Sequence, residues 1–338
     1  ATIRAAGAIA DIAGSAGDVA VVAGTVVLAA GTGIGGGGDA AFSIDAATLR
    51  ASNSTSGNLA VFDYQVAGAM NTSPLTVNSL TNANGNVVFD SAKSVIVNGN
   101  IVAGGAGSDI TITSSTASTG TFDFLAGSIS ASDAVSITFR TTFNAAALTT
   151  ISGNSVVIAG IDGTDAALTY SFAGRVFSGT TIAVNAGQNN NASILDISGR
   201  MSAGTSIDLF TNARGATTPS GPSDQIGLTG VVTAGTTLSI GQATNVTSTI
   251  VSISGTATGN SGVTITGAAA GATVVSVSGS LVANGGTISL LGGTANPAAQ
   301  RRMQATASGS THRGTAPAEL TDGRCALPVI AALRPCSD

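Results

Sequence analysis

Apolar and polar residues alternate in short runs along most of the chain, and one nine-residue pattern recurs between about residue 60 and residue 292. The pattern reads apolar, any, apolar, any, glycine, any, apolar, any, small. It occurs nine times, with its glycines 21 to 31 residues apart. Alternation with a period of two residues is typical of β-strands that bury one face. The repeated glycines are Gly68, Gly99, Gly127, Gly153, Gly174, Gly199, Gly230, Gly255 and Gly279.

Apolar residues occur at nearly constant distances along the chain from these glycines. Two positions before the glycine the residue is apolar in all nine copies, and two positions after it is apolar in eight, the exception being Ser155 in the Gly153 copy. A second alternating strand then closes most copies, as at Ile110 and Ile112. Small residues are favoured four positions after the glycine, and these are Ala103, Ala131, Ser178, Ala203, Ala234, Gly259 and Ala283.

A unit of about 25 residues cannot bury the apolar faces of its own strands, but stacked units can. Each strand would pair with its counterpart one coil away, at about 4.8 Å, and like residues would form apolar ladders through a narrow interior. Glycine suits a corner between two strands because it has no Cβ to clash with nearby backbone. We therefore predict an all-β fold, a right-handed parallel β-helix (β-solenoid) of roughly 12 coils over residues 1–296, including the less regular residues 1–60.

The composition changes at about residue 296. Residues 297–338 contain five of the eleven arginines, four of the seven prolines, both cysteines and the only histidine, without a further copy of the repeat. We interpret them as an atypical tail, which is a linker, a cap or non-native sequence. Cys325 and Cys336 could close a small disulfide loop or remain free thiols, and His312 has no partners at the spacing of a catalytic triad or a metal site.

Charge and composition narrow the function classes. Only 9% of residues are charged, the net charge is -5, and Lys93 is the only lysine. Nucleic-acid binding is therefore not expected, because it needs clustered lysine and arginine. The longest apolar run, about residues 19–30, is too short to cross a bilayer as a helix. The chain begins with neither methionine nor a signal-peptide pattern, so we expect a mature or internal fragment.

Several copies of the repeat carry a family resemblance. The copies Gly99-Asn-Ile-Val-Ala-Gly, Gly127-Ser-Ile-Ser-Ala-Ser and Gly230-Val-Val-Thr-Ala-Gly resemble filamentous haemagglutinin and related large exoproteins, as does the segment Gly24-Thr-Val-Val-Leu-Ala-Ala-Gly-Thr-Gly-Ile-Gly. The resemblance covers roughly residues 1–292. It implies a parallel β-helix that is exported by two-partner secretion through a dedicated outer-membrane protein and is displayed or shed as an adhesin.

The same resemblance implies a location at the bacterial outer surface or outside the cell, and a ligand on host or neighbouring cells. The Asn-Pro-Asn-type motif of the family's N-terminal secretion domain does not occur in the chain, so we expect an interior or distal piece of such a protein. The expected function is a non-catalytic adhesive scaffold without catalytic, cofactor or metal sites.

Two glycine-rich motifs match ligand-binding patterns. Gly31-Thr-Gly-Ile-Gly-Gly satisfies the dinucleotide fingerprint, but another strand-like segment follows it instead of a helix. Gly104-Gly-Ala-Gly-Ser-Asp matches the start of a calcium-binding nonapeptide, but it occurs once, and such sites need tandem copies. We interpret both motifs as glycine-rich turns.

A polysaccharide-active β-helix, either a lyase or a hydrolase, is the main enzymatic alternative. Such enzymes pair carboxylates on neighbouring coils. Asp123 and Asp196 are in outward positions, and Asp162 and Asp165 are close together in a loop. Sugar subsites also use aromatic platforms, which are scarce before residue 296, where the tyrosines are Tyr64 and Tyr170. We therefore favour solvated aspartates over a catalytic pair.

Two further interpretations involve surfaces instead of sites. End-to-end stacking into an extracellular filament is plausible, because the last coil of a solenoid offers unpaired strand edges. Ice binding would need a regular Thr-x-Thr row in every coil. Segments such as Thr111-Ile-Thr and Thr264-Ile-Thr are too sporadic for that row.

Overall fold

The computed structural model describes residues 1–11, 19–35, 41–65, 74–114, 120–161, 168–185, 193–211, 224–242, 248–267 and 272–291. In these residues the regular structure is entirely β: there are 27 strands and no helix. The strands belong to one continuous system of parallel pairings. The predicted all-β parallel solenoid is therefore confirmed.

The strands are short, from 4 residues in β1 to 12 in β3. The first nine are β1 (Thr2–Ala5), β2 (Val21–Ala30), β3 (Phe42–Asn53), β4 (Leu59–Asp63), β5 (Leu75–Asn82), β6 (Val87–Ser91), β7 (Val95–Ala103), β8 (Ile110–Ser114) and β9 (Thr121–Ala126). The next nine are β10 (Ser128–Ala131), β11 (Ala134–Phe139), β12 (Thr142–Ala145), β13 (Thr150–Gly160), β14 (Thr169–Phe172), β15 (Arg175–Asn185), β16 (Ile194–Ile197), β17 (Arg200–Ala203) and β18 (Ser206–Thr211). The last nine are β19 (Asp224–Leu228), β20 (Val231–Ala234), β21 (Thr237–Gln242), β22 (Ser248–Ile253), β23 (Thr256–Gly259), β24 (Gly262–Thr266), β25 (Ala272–Val277), β26 (Ser280–Ala283) and β27 (Thr287–Leu291).

Each coil passes through three parallel sheets, and each sheet presents a ladder of apolar residues to the interior. The inner ladder of sheet 1 is Ile3, Leu28, Ala51, Leu80, Ile101, Ile129, Ile151, Val176, Met201, Val232, Ala257 and Leu281. That of sheet 2 is Ile9, Ile34, Leu59, Val87, Ile110, Val135, Val156, Ile182, Ile207, Leu238, Val263 and Ile288. In sheet 3 the ladder includes Leu75, Val95, Phe122, Phe143, Tyr170, Leu195, Ile226, Val251 and Val275.

The number of coils depends on whether strands or ladder positions are counted. At three strands per coil, 27 strands would amount to about nine coils, against the roughly 12 expected. The inner ladder of sheet 1 still has twelve members, because some strands bend from one sheet into the next without a break. These strands are β2, β3, β5, β7, β13 and β15.

The interior is a continuous apolar core that includes a group of stacked aromatic rings. Phe122 and Phe143, one coil apart in sheet 3, stack with ring centroids 5.4 Å apart and planes at 7°. Phe139 from sheet 2 meets Tyr170 edge-on at 4.7 Å. Successive coils therefore share their core, as expected for a repeat that cannot bury its apolar face alone.

Most of the repeated glycines form one column at the corner between sheet 3 and sheet 1. A Cβ on Gly230 would lie 1.9 Å from the carbonyl oxygen of Gly199 one coil earlier, and the same contact would be 2.0 Å at Gly255 and 2.1 Å at Gly279. The corner therefore needs glycine because the backbones of successive coils touch there. Gly127 also has a positive φ of 98°. The column contains Gly99, Gly127, Gly174, Gly199, Gly230, Gly255 and Gly279.

Gly153 does not belong to this column, although the equivalence of the nine copies in the sequence predicts that it should. It pairs with Ser178 at the end of the sheet 1 strand, which is the position of the small residues. The column position of its coil is filled by Thr149, whose hydroxyl donates to the Ala146 carbonyl at 2.7 Å. The two positions look alike in the sequence because a four-residue shift still satisfies the local alternation. Gly68 lies outside the described residues.

The small residues line the next corner, between sheet 1 and sheet 2. Ala203 pairs with Ser178 on one side and Ala234 on the other. Near the N-terminus this ladder is polar: Asn53 and Asn82 are both buried, and Asn53 Nδ2 donates to Asn82 Oδ1 at 3.0 Å. Each amide also donates to corner carbonyls. The buried amides therefore satisfy backbone groups of the turn.

The segments outside the described residues have a common position in the chain. Before residue 272 there are nine of them, and each lies between a strand or bridge of sheet 2 and the next strand of sheet 3. Residues 1–60 contribute coils, as predicted, and β27 ends at Leu291. The predicted tail, residues 297–338, lies outside the described residues.

We expect Gly230→Ala to lower the free energy of unfolding by about 1–3 kcal/mol, because the added Cβ forces two coils apart. Gly24→Ala is the matched control, since nothing lies within 4 Å of a Cβ at that position. It should change stability by less than about 0.5 kcal/mol. Urea unfolding followed by circular dichroism measures both, and equal effects would contradict the role assigned to the corner.

Candidate functional site

Two of the four carboxylates considered for sugar cleavage, Asp123 and Asp196, lie on the outward face of sheet 3. Asp123 and Asp196 each stand between two buried apolar residues. Their strands are three pairing steps apart, through Asn144 and Ser171. At about 4.8 Å per step this separates their backbone positions by about 14 Å. Asp123 is instead engaged by the next coil, because Asn144 Nδ2 donates to its Oδ1 at 2.6 Å.

The two tyrosines do not form a joint aromatic platform. Tyr170 is buried in the core, where its hydroxyl donates to the Asn185 carbonyl at 2.7 Å, and burial raises the pKa of its phenol well above the usual value. Tyr64 instead packs against Phe62, with ring centroids 4.0 Å apart. Other residues considered from the sequence lie outside the described residues, namely Asp162, Asp165, His312, Cys325 and Cys336.

The described residues of both glycine-rich motifs belong to the stacked coils of the solenoid. Ile34, inside the first motif, bridges to Ile9 and Leu59 in parallel, so this segment is part of sheet 2. In the second motif, the carboxylate of Asp109 accepts a hydrogen bond at 2.9 Å from the backbone N–H of Ala134 one coil later. The polar groups of the motif therefore hold neighbouring coils together.

An open depression lies beside the first three coils. Its lining includes Arg4, Ala30, Gly31, Ser54 and Thr55. Arg4 is the one ionisable residue in this lining, which contains no carboxylate, imidazole or thiol. The depression thus offers no acid–base pair.

Among the described residues, Lys93, Asp45 and Asp63 form a buried cluster of ionisable side chains. The Lys93 side chain is 2% exposed and the two aspartates 0%. Lys93 Nζ donates to Asp45 Oδ1 at 2.7 Å, to the Ala46 carbonyl at 3.0 Å and to Asp63 Oδ1 at 3.2 Å. All three donor directions of the ammonium are therefore used inside the protein.

The second carboxyl of this cluster is fixed by its own partners. Asp63 Oδ1 accepts from the Ala46 N–H at 3.3 Å, and Oδ2 accepts from the Ser91 hydroxyl at 3.0 Å. Burial raises the pKa of Asp63 from 3.8 to about 6, although Lys93 opposes this effect. Asp63 therefore exchanges a proton close to neutral pH.

The fold assembles the cluster where sheet 2 meets sheet 3. Asp63 ends β4, Asp45 lies within β3, and Lys93 lies between β6 and β7. In the sequence, Lys93 stands out only as the single lysine. Its contacts with Asp45 and Asp63 were not predicted. One signal was available: Asp63 continues the inward phase of Leu59 and Val61, which places a carboxylate in the core.

In the described part of the chain, no three His, Cys, Asp or Glu residues are grouped as metal ligands. The same part contains no helix that is long and apolar enough to cross a membrane. A comparison with protein-family models, curated proteins and solved structures found no match.

The raised pKa of Asp63 predicts a pH-dependent stability. Between about pH 4 and 6 the folded protein keeps a proton that the unfolded chain has lost, so the stabilisation is complete at low pH and disappears as the pH rises through 6. Relative to Asp63→Asn, the wild-type free energy of unfolding should fall by up to about 3 kcal/mol over this range.

Urea unfolding at several pH values measures this slope. Asp208→Asn, on the outward face of sheet 2, is the control and should leave the slope unchanged. A wild-type slope equal to that of Asp63→Asn would contradict the prediction.

Proposed function

We propose that this chain is a non-catalytic structural scaffold of an exported bacterial adhesin, whose outward faces make contacts at the cell surface or outside the cell. The proposal rests on the arrangement of the outward ladders together with the sequence resemblance to filamentous haemagglutinin-like exoproteins. Export through an outer-membrane partner and a ligand on host or neighbouring cells follow from that resemblance.

The outward ladders, which are the rows of side chains on the solvent-facing side of each sheet, can form surface contacts but contain few reactive groups. On sheet 1 one ladder contains small hydroxyl residues, with Ser130 paired to Ser152 and Thr233 to Thr258. Small polar side chains of this kind hydrogen-bond to diverse surfaces but lack the basicity or acidity that catalysis needs. The faces are therefore suited to many weak contacts along an extended body.

The spacing of Asp123 and Asp196, the two candidate carboxylates on sheet 3, is the observation that carries the non-catalytic part of the proposal. Glycoside hydrolysis uses two carboxyl groups about 5–9.5 Å apart. Asp123 and Asp196 are separated by three strand steps, or about 14 Å along sheet 3. Each step along a solenoid is rigidly defined by backbone hydrogen bonds, so a local side-chain adjustment does not make them a pair.

We expect beads coated with the protein to be retained under flow on a layer of host epithelial cells, bacterial cells or immobilised polysaccharide, without release of reducing or unsaturated sugar ends. Albumin-coated beads are the control for retention. Retention on none of these surfaces would contradict the adhesive role.

The double variant Asp123→Asn/Asp196→Asn tests the catalytic alternative. It should release no sugar ends, and its free energy of unfolding should equal that of the wild type to within about 0.5 kcal/mol, as expected for surface positions. Sugar release by the wild-type protein that disappears in this variant would establish an enzyme in place of a scaffold.

A further inference from the structure

The buried cluster holds an amine and a carboxyl group in contact, and these are the two reactants of an amide bond. Lys93 Nζ lies 2.7 Å from Asp45 Oδ1, with side-chain exposures of 2% and 0%. Hydrogen bonds to Asp63 and to the Ala46 carbonyl fix the direction of the amine. Holding two reactants in one orientation in a site that excludes water removes much of the barrier to their reaction.

As separate ions, these groups are costly to bury. One ammonium and two carboxylates leave one negative charge in excess, and the interior solvates charge poorly. Transfer of a proton from Lys93 Nζ to Asp45 Oδ1, along the hydrogen bond between them, produces a neutral amine and a neutral carboxylic acid. These neutral forms are the ones that condense to an amide.

We infer that Lys93 and Asp45 become joined by an isopeptide bond between Nζ and Cγ, with Asp63 transferring protons. The nitrogen lone pair attacks Cγ, and Asp63 accepts a proton from the nitrogen as the C–N bond forms. Asp63 then gives a proton to the departing hydroxyl, the C–O bond to that hydroxyl breaks, and one water molecule leaves. The product amide keeps one N–H, and the reaction needs no oxidant, reductant or cofactor.

Asp63 is placed to serve as this proton carrier. Its Oδ1 lies 3.2 Å from Lys93 Nζ, so it can take the proton directly. The Ser91 hydroxyl and the Ala46 N–H hold the carboxyl in place. Its pKa of about 6 lets it both accept and return a proton near neutral pH.

The bond ties together coils that are otherwise held by backbone hydrogen bonds and packing. It links residues 48 positions apart in sequence and bridges from β3 to the segment between β6 and β7. Tension along the chain cannot separate these coils without breaking a covalent bond. The inference concerns the interior and does not depend on what the outward faces bind.

Trypsin digestion of the denatured protein, followed by mass spectrometry, tests the inference. Without the bond, cleavage at Arg50, Lys93 and Arg140 yields the separate peptides 5–50, 51–93 and 94–140. With it, Lys93 resists cleavage, peptide 5–50 is linked to 51–140, and the intact mass is one water lower than the sequence requires. A full intact mass with complete cleavage at Lys93 would overturn the inference.

The same digest identifies the acceptor. Asp63 lies in 51–93 and Asp45 in 5–50, so a linkage to Asp63 would leave peptide 5–50 free and would overturn the assignment of Asp45.

Asp63→Asn tests the proton carrier, with Asp208→Asn as the outward control. We expect the first variant to have the full sequence mass and the second to lose water like the wild type. Circular dichroism establishes that both are folded. A folded Asp63→Asn chain that still loses water would overturn the role of Asp63, and if that variant does not fold, the wild-type digest decides the inference alone.

Discussion

Backbone hydrogen bonding between successive coils is the constraint on which this structure depends. Each strand pairs in parallel with its counterpart one turn away, so a residue meets the residue of the same phase in the next coil. Apolar positions therefore stack on apolar positions, as in the ladder from Ile101 to Ile129 and Ile151. The interior stays dry because every coil covers its neighbour, which makes the stability of each unit a property of the stack.

The same spacing restricts which residues fit at the corners. Because coils follow each other at about 4.8 Å, the corner between sheet 3 and sheet 1 brings a carbonyl oxygen of one coil against the α-carbon of the next. Glycine meets this condition at Gly199, Gly230 and Gly255. Thr149 meets it differently, since its side chain bonds to the local turn, and the glycine above it, Gly174, leaves room for that side chain. The residue that a corner of one coil accepts therefore depends on the residue at the same corner of the next coil.

In a solenoid, the side chains that stabilise the fold face the interior, and the side chains that can contact other molecules face outward. The inner ladders hold the stack together, whereas the outward ladders can vary without loss of the fold. The Lys93 cluster lies on the inner side of this division, at the junction of sheets 2 and 3. The proposed covalent bond there would strengthen the stack and would leave the outward faces available for the contacts of the proposed scaffold.

The class of fold, the approximate period, the inward and outward phases and most of the glycine corners can be predicted from the sequence alone, because these follow from alternation within a few residues of each glycine. The register between coils cannot, because it is fixed only when the coils stack. Gly153 looked equivalent to Gly127 locally, but the ladder through Ile129 and Ile151 assigns it to another corner. Contact among Asp45, Asp63 and Lys93 likewise depends on the summed lengths of the intervening segments, which local alternation does not encode.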